Sequence, residues 1–344
     1  MKSKKFILIL ILFFISSICL LFGSVCSKST PLPSIGSIER LDPRLDALLP
    51  EDAQLEKLAE GFGWSEGPVW VAKGNYLLFA DIPKNTINKW KEGEGISVYL
   101  RPAGYTGDKP SGMELGVNGL ALDPNGQLIM CDHGNRCVSR LNEKDYTRTV
   151  LVDNYKGKRL NSPNDLVFDS KGDIYFTDPP YGLTGLNDSP VKELDFNGVY
   201  RLDTGGELTL LTKELTFPNG IGLSPDEKTL YVAQSDNEAP LLKAFPVLED
   251  GTLGEGRLFF NALELKKQGG KGSCDGMAVD KQGNVFATGP GGILVLNPQG
   301  KHLGTILTGQ PTANCAFGDD GSVLYITANM YLCRIRTTTK GLGF

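Results

Sequence analysis

Six copies of one short phrase run through this chain, and each opens on an oxygen-bearing side chain. The copies are EGPVWVAKGNYLLFAD from Glu66, NGLALDPNGQLIMCD from Asn118 and NDLVFDSKGDIYFTD from Asn164, then NGIGLSPDEKTLYVAQ from Asn219, DGMAVDKQGNVFATG from Asp275 and NCAFGDDGSVLYITA from Asn314. Each reads as a carboxylate or amide, a small residue or Asp in most copies, a short apolar strand, a polar Gly-containing turn and a second apolar strand. The copies recur every ~40–55 residues, the period of propeller blades. Blades set around an axis put equivalent positions in equivalent places. The six opening residues should therefore face one central channel. Two acids and four amides around an axis suit a hard cation, and Ca²⁺ prefers oxygen ligands.

The segments after each copy supply outer strands. NTINKW, RCVSRLN, NGVYRLD, LLKAFPV and GGILVLNP read as third strands, and SVYL, TVLVD, LTLLT, GRLFF and GTILT as fourth strands. The chain is therefore expected to be all-β, a six-bladed propeller of four-stranded antiparallel blades around a metal-binding channel. Gly 42 and Pro 20 in 344 residues suit short strands and tight turns. The Asp-rich turns DPNG, DSKGD, SPDEK, DKQGN and GDDGS read as hairpin chemistry, because none continues into the spacing of an EF-hand loop. A propeller must close its ring, and Leu55 to Ala59 is the candidate closing strand for the blade built from residues 314–337.

The N-terminus is a separate object. Lys2, Lys4 and Lys5 precede an apolar run from Phe6 to Phe22 broken only by small hydroxyls. Residues 1–26 read as an export signal. Cys26 stands where a bacterial lipoprotein carries its lipidated cysteine. A cleaved soluble product and an uncleaved anchor are the alternatives. All three place the domain outside the cytoplasm, periplasmic, lipid-anchored at the outer membrane or secreted. Residues 27–45 read as a Ser- and Pro-rich linker, and 46–344 as a single propeller domain. The formal charge of -5 and the lack of any basic run argue against nucleic acid as a partner. Contact with a membrane is expected only through the N-terminal segment, and no protein partner is evident. Cys131, Cys137, Cys274, Cys315 and Cys333 sit in or beside strand phrases and read as buried thiols, with a Cys131–Cys137 cross-strand bridge as the alternative.

Four motifs taken together resemble the gluconolactonase and senescence-marker-protein (regucalcin) family: WSEGPVW, LNSPNDLVFDSKGDIYFTDPPYG, FPNGIGLSPDEKTLYVAQSD and CDGMAVDKQGNVFATG. The resemblance covers about residues 60–337. It implies a six-bladed propeller with one divalent cation in its channel and the hydrolysis of lactones. Its metal ligands map onto Glu66, Asn219 and Asp275. A further Asn near metal and substrate maps onto Asn164. Asn118 and Asn314 share the register without a counterpart as ligands. Where the family carries an Arg two residues before Asn164, this chain has Ser162, and Arg159 is the candidate to take over that contact.

The expected chemistry is hydrolysis of a lactone, a sugar lactone first, by a Ca²⁺-dependent hydrolase, with Zn²⁺, Mn²⁺ and Mg²⁺ as other divalent candidates. Asp275 is expected to orient or deprotonate water as well as hold the ion. His133, in MCDHGNRC, is expected either to shuttle protons or to serve as a turn histidine bonded to backbone. Asn164, Arg159, Tyr181 and Asn118 are expected to meet the substrate. His302 reads as a surface residue. The long segments Arg101–Gly116 and Pro179–Gly198 are expected to roof the channel mouth. No GxSxG elbow or phosphate loop is present. The alternatives are an esterase or phosphotriesterase on the same scaffold, and a binding propeller whose ion is structural.

Overall fold

The computed structural model describes residues 32–108, 112 and 114–344. The expected export signal and Cys26 lie outside the described residues. The six repeats become six antiparallel blades, each a meander from the channel outward. Their four strands are Ser65–Val71, Tyr76–Asp81, Thr86–Lys91 and Gly95–Leu100 in blade 1, and Val117–Leu122, Leu128–Asp132, Cys137–Leu141 and Arg148–Val152 in blade 2. Blade 3 uses Leu166–Phe168, Ile174–Asp178, Gly198–Leu202 and Leu208–Thr212. Blade 4 uses Pro218–Leu223, Thr229–Gln234, Leu241–Pro246 and Arg257–Asn261. Blade 5 uses Met277–Val279, Val285–Gly289, Gly292–Leu296 and His302–Leu307, and blade 6 uses Asn314–Gly318, Val323–Ala328 and Tyr331–Arg336. Inner strands touch in cyclic order, that of blade 1 meeting those of both blade 2 and blade 6.

The second strand of each blade is apolar almost throughout because both of its faces are covered. Successive side chains of a strand point to opposite faces. Leu78 and Ala80 pack on Leu128 and Met130 of blade 2, while Leu77 and Phe79 pack on Val323 and Tyr325 of blade 6. The same alternation fills the other seams, with Phe176 and Tyr200 against Ile129 and Cys131, and Phe286 and Ile293 against Leu324 and Ile326. The described cysteines are free and buried, so the thiol reading of Cys131 and Cys137 describes them and the bridge does not. Cys131 stands opposite Val138 rather than Cys137.

Leu55–Glu60 closes the ring as the fourth strand of blade 6, antiparallel to Tyr331–Arg336. Arg334 adds an ion pair to Glu56, Nε to Oε2 at 2.6 Å. The segment read as a linker is partly structured. Ser34–Ile35 pairs with Glu56 and Leu55, and Ser37–Arg40 pairs along His302–Leu307, making fifth strands on blades 6 and 5. Asp42 then caps a short 3₁₀ turn, Pro43–Ala47, that buries Leu45. Ser and Pro composition hid this pairing, whose cause is the open row of backbone groups on each outer strand. His302 is half-buried, with its ring 5.4 Å from that of Phe260 and its Nε2 3.0 Å from Thr305 Oγ1, not a free surface residue. Leu55 is 2% exposed at the seam of blades 5 and 6. Leu55→Ala is expected to cost about 2–5 kcal/mol in a denaturant melt; a cost under about 0.5 kcal/mol would mean that closure does not depend on this strand.

Candidate active and metal site

All six opening residues come to the channel, and a bulge or strand start aims each one. The ladder register slips between Glu66 and Val69, between Val117 and Leu120, and between Pro218 and Ile221. An extra residue there bends the strand and re-aims the side chain. Asn164 and Asp275 sit two residues ahead of their first strands. The small residue after most openers has a steric cause. Gly67, at φ +48, lies against the Asn118 carbonyl, where a Cβ would clash. The same approach recurs from Gly119 to Asn164, Gly220 to Asp275 and Gly276 to the Asn314 side chain. Hydrogen bonds fasten the openers between blades: Gly119 N donates to Asn164 O at 2.7 Å, and Thr177 Oγ1 to Asn219 O at 2.7 Å. Within blade 5, Asp275 N donates to Thr288 Oγ1 at 2.9 Å.

The electrostatics of this ring are those of crowded, buried carboxylates. Burial, and then the charge of Asp165, push the Glu66 carboxyl up to about 8. Burial, and then the Glu66 charge, hold Asp275 well above the usual carboxylate range. Asp165, one residue past Asn164, is itself pushed up to about 6 by burial. Burying like charges together is costly unless a proton or a cation offsets them. The amides complete the picture. Asn219 Nδ2 donates to Ser235 Oγ at 2.8 Å, and its buried Oδ1 has no partner among the described residues. Asn118 Oδ1 is buried and unpartnered in the same way. Bare buried oxygens beside raised carboxylates fit a hard, oxygen-seeking divalent ion. Among the described residues no group of three or more His, Cys, Asp or Glu is placed to hold a metal, so Glu66 and Asp275 would need the Asn side-chain oxygens to complete a coordination shell.

Glu66, Asn118, Asn164, Asn219 and Asp275 share the wall of one open cavity of about 370 Å³. Trp64, Tyr181, Asn237, Lys266, Ser273 and Pro311 line it too. The Tyr181 ring stacks on Phe217 with centroids 5.6 Å apart. The two long segments meet here: Glu114 and Tyr181 both line the cavity, and Gly112 touches the Gly182 backbone.

Not every expected residue reaches the cavity. Asn314 turns inward to the acids, its Nδ2 3.4 Å from Asp165 Oδ2 and its Oδ1 accepting from Cys315 N. Arg159 is exposed on a short hairpin, Asn154–Tyr155 with Lys158–Arg159, and its guanidinium donates to Asn135 O at 2.9 Å. It is not part of the cavity wall, because that unforeseen hairpin carries it to a neighbouring turn. Ser162 does not replace it either. Its Oγ donates to Pro179 O and accepts from Gly182 N, so it fixes the start of the second long loop. His133 is fully buried behind the wall, with Nδ1 2.7 Å from Glu114 Oε2 and Nε2 3.4 Å from the amide nitrogens of Asn118 and Asn164. It bonds to side chains rather than to backbone, and it does not open to the cavity as a shuttle would. Glu114, Asp165, Ser235 and Lys266 are the site residues that the repeat pattern did not single out. Asp165 alone had a readable signal, as the acid that stands where other copies carry a small residue.

Comparison with known proteins places the chain in a family. Residues 64–330 match the SMP-30/Gluconolactonase/LRE-like region. A gluconolactonase of Zymomonas mobilis is 45% identical over 90% of this chain and 88% of its own length. The structure of a gluconolactonase from Xanthomonas campestris is 32% identical, covers 90% of this chain and 98% of its own, and superposes with a TM-score of 0.76. Regucalcin of Bos taurus is 28% identical over 78% of this chain and 84% of its own.

The raised acids give a testable pH signature. A folded state that holds Glu66 protonated up to about 8 binds protons the unfolded chain has already released. Cation-free protein therefore loses stability as pH rises from about 4.5 through about 8, and a bound cation offsets that loss. In chelator Tm should fall between about pH 5 and about pH 8, and added Ca²⁺ should raise Tm more at the higher pH. An equal Ca²⁺ shift at both would show that the cation does not replace these protons.

Proposed function

This chain belongs to the SMP-30/gluconolactonase/LRE-like family, and from that premise we propose that it opens sugar lactones, gluconolactone first among them, at the channel site with a bound Ca²⁺. It is a lactone-hydrolysing enzyme. The observation that carries the finer reading is the pair of strongly raised carboxylates, Glu66 and Asp275, set beside unpartnered amide oxygens at the floor of an open cavity. Glu66, Asn164, Asn219 and Asp275 would hold the ion. When bound, it would polarise the lactone carbonyl and offset the negative charge that develops on that oxygen.

The chain's own residues do the rest. Asp275 lines the cavity, and its backbone N–H donates to Thr288 Oγ1, which anchors the residue that would transfer the proton. Asp275 takes a proton from water, the water oxygen bonds to the carbonyl carbon, and the ring C–O bond breaks. The proton passes to the departing ring oxygen, giving a hydroxy acid. Tyr181, backed by Phe217, offers an aromatic face to the sugar ring, and Asn237, Ser273 and Lys266 offer polar contacts to its hydroxyls. Cationic contacts near the substrate would come from Lys266 rather than from Arg159.

Asp275→Ala is expected to lower lactone hydrolysis by at least about 10²-fold and to remove calorimetric Ca²⁺ binding, with the melt of the blades preserved. Full activity in excess chelator, across a panel of aldonolactones and aryl esters, would defeat the metal-dependent reading. Tyr181→Ala should raise KM about tenfold with Ca²⁺ affinity unchanged; unchanged KM would remove Tyr181 from the substrate wall.

A further inference from the structure

Two side chains, His133 buried behind the wall of the site and Glu114 in that wall, have contacts that the hydrolysis itself does not use. His133 Nδ1 lies 2.7 Å from Glu114 Oε2. An ionised carboxylate only accepts, so Nδ1 carries the ring proton. In the neutral ring Nε2 is then a bare lone pair, and it faces two amide nitrogens, Asn118 Nδ2 and Asn164 Nδ2, each at 3.4 Å. Those NH₂ groups can only donate. Each amide that turns its nitrogen toward the imidazole turns its oxygen away from it. The Asn118 oxygen is buried and unpartnered among the described residues. Ser235 does the same for Asn219, with a hydroxyl behind the nitrogen and an unpartnered oxygen on the other side.

We propose that Glu114 and His133 are positioning residues for the cation: Glu114 locks His133 in its Nδ1–H form, and the bare Nε2 holds Asn118 and Asn164 with their oxygens presented to the ion. Asn118 thereby becomes a further cation ligand beside Glu66, Asn164, Asn219 and Asp275. The opposite tautomer would set an N–H against two NH₂ groups, and relieving that clash would flip both amides and present their nitrogens to the ion. Glu114 itself lines the cavity, so a residue open to the substrate side would also tune the amides that hold the cation. This inference rests on the reading of the channel as a cation site.

Calorimetric Ca²⁺ titration of the full chain tests it with two neutral variants. Glu114→Gln and Glu114→Leu lose the same charge, but only the Gln side chain keeps an oxygen to accept from Nδ1–H. The Leu variant should bind Ca²⁺ at least about tenfold more weakly than the Gln variant, the scale on which outer-shell partners act. Asn118→Ala should weaken binding by a similar factor. In ¹⁵N spectra of the histidine-labelled chain, His133 should show a protonated Nδ1 and a bare Nε2 in wild type and in Glu114→Gln. Glu114 is partly exposed at the mouth, so both variants should melt as the wild type does. Equal Kd for the two variants, a protonated Nε2 in the wild type, or an unchanged Kd in Asn118→Ala would overturn the inference while the cation site stands. A wild-type chain that takes up no Ca²⁺ would overturn the cation reading itself.

Discussion

Like charges buried together govern this structure. Glu66, Asp165 and Asp275 are drawn to one axis, Glu66 and Asp165 with buried side chains. No Arg or Lys pairs with any of the three by a salt bridge among the described residues, so their charges raise one another. A fold can carry such a cluster only where something neutralises it or solvates it. Amide nitrogens do part of this, as Asn314 does between the acids. The remaining amides turn their nitrogens outward, to Ser235 or His133, and leave oxygen on the inner side. That arrangement is unfavourable for an empty channel and favourable for one that holds a cation.

The propeller makes this concentration feasible. Stability resides in the seams between blades, where second and third strands bury both faces. The innermost strands are therefore free to carry polar openers, and their neighbours must be small because adjacent blades approach so closely there. Two long segments break the repeat on the side where the openers emerge and supply Glu114 and Tyr181. The blades fix the openers, and residues of the two long segments complete the cavity wall.

The sequence carried the openers in plain view, because six copies of an Asn, Asp or Glu ahead of a small residue and an apolar strand record a radial symmetry. The closing strand at Leu55–Glu60 was legible for the same reason: the blade built from residues 314–337 has no fourth strand of its own, so the other end of the chain must supply it. Residues 34–40 were not, since their pairing is dictated by the exposed edges of blades 5 and 6 and not by their own Ser- and Pro-rich composition. The partners of His133 were also hidden. Glu114 lies 19 residues away in a loop with no periodicity, and only the folded chain brings its carboxylate to the imidazole. Arg159 shows the converse. Its proximity to Asn164 in sequence suggested a shared site, but a two-residue-strand hairpin turns its guanidinium toward Asn135.

The central claim is that these side chains converge on one cation, and anomalous diffraction from crystals grown with Ca²⁺ or a lanthanide substitute tests it most directly. The account predicts a single dominant peak on the propeller axis, within coordinating distance of oxygens from Glu66, Asn164, Asn219 and Asp275. A vacant axis at saturating ion, or a dominant peak at the Asp-rich hairpin turns on the outside of the blades, would contradict it.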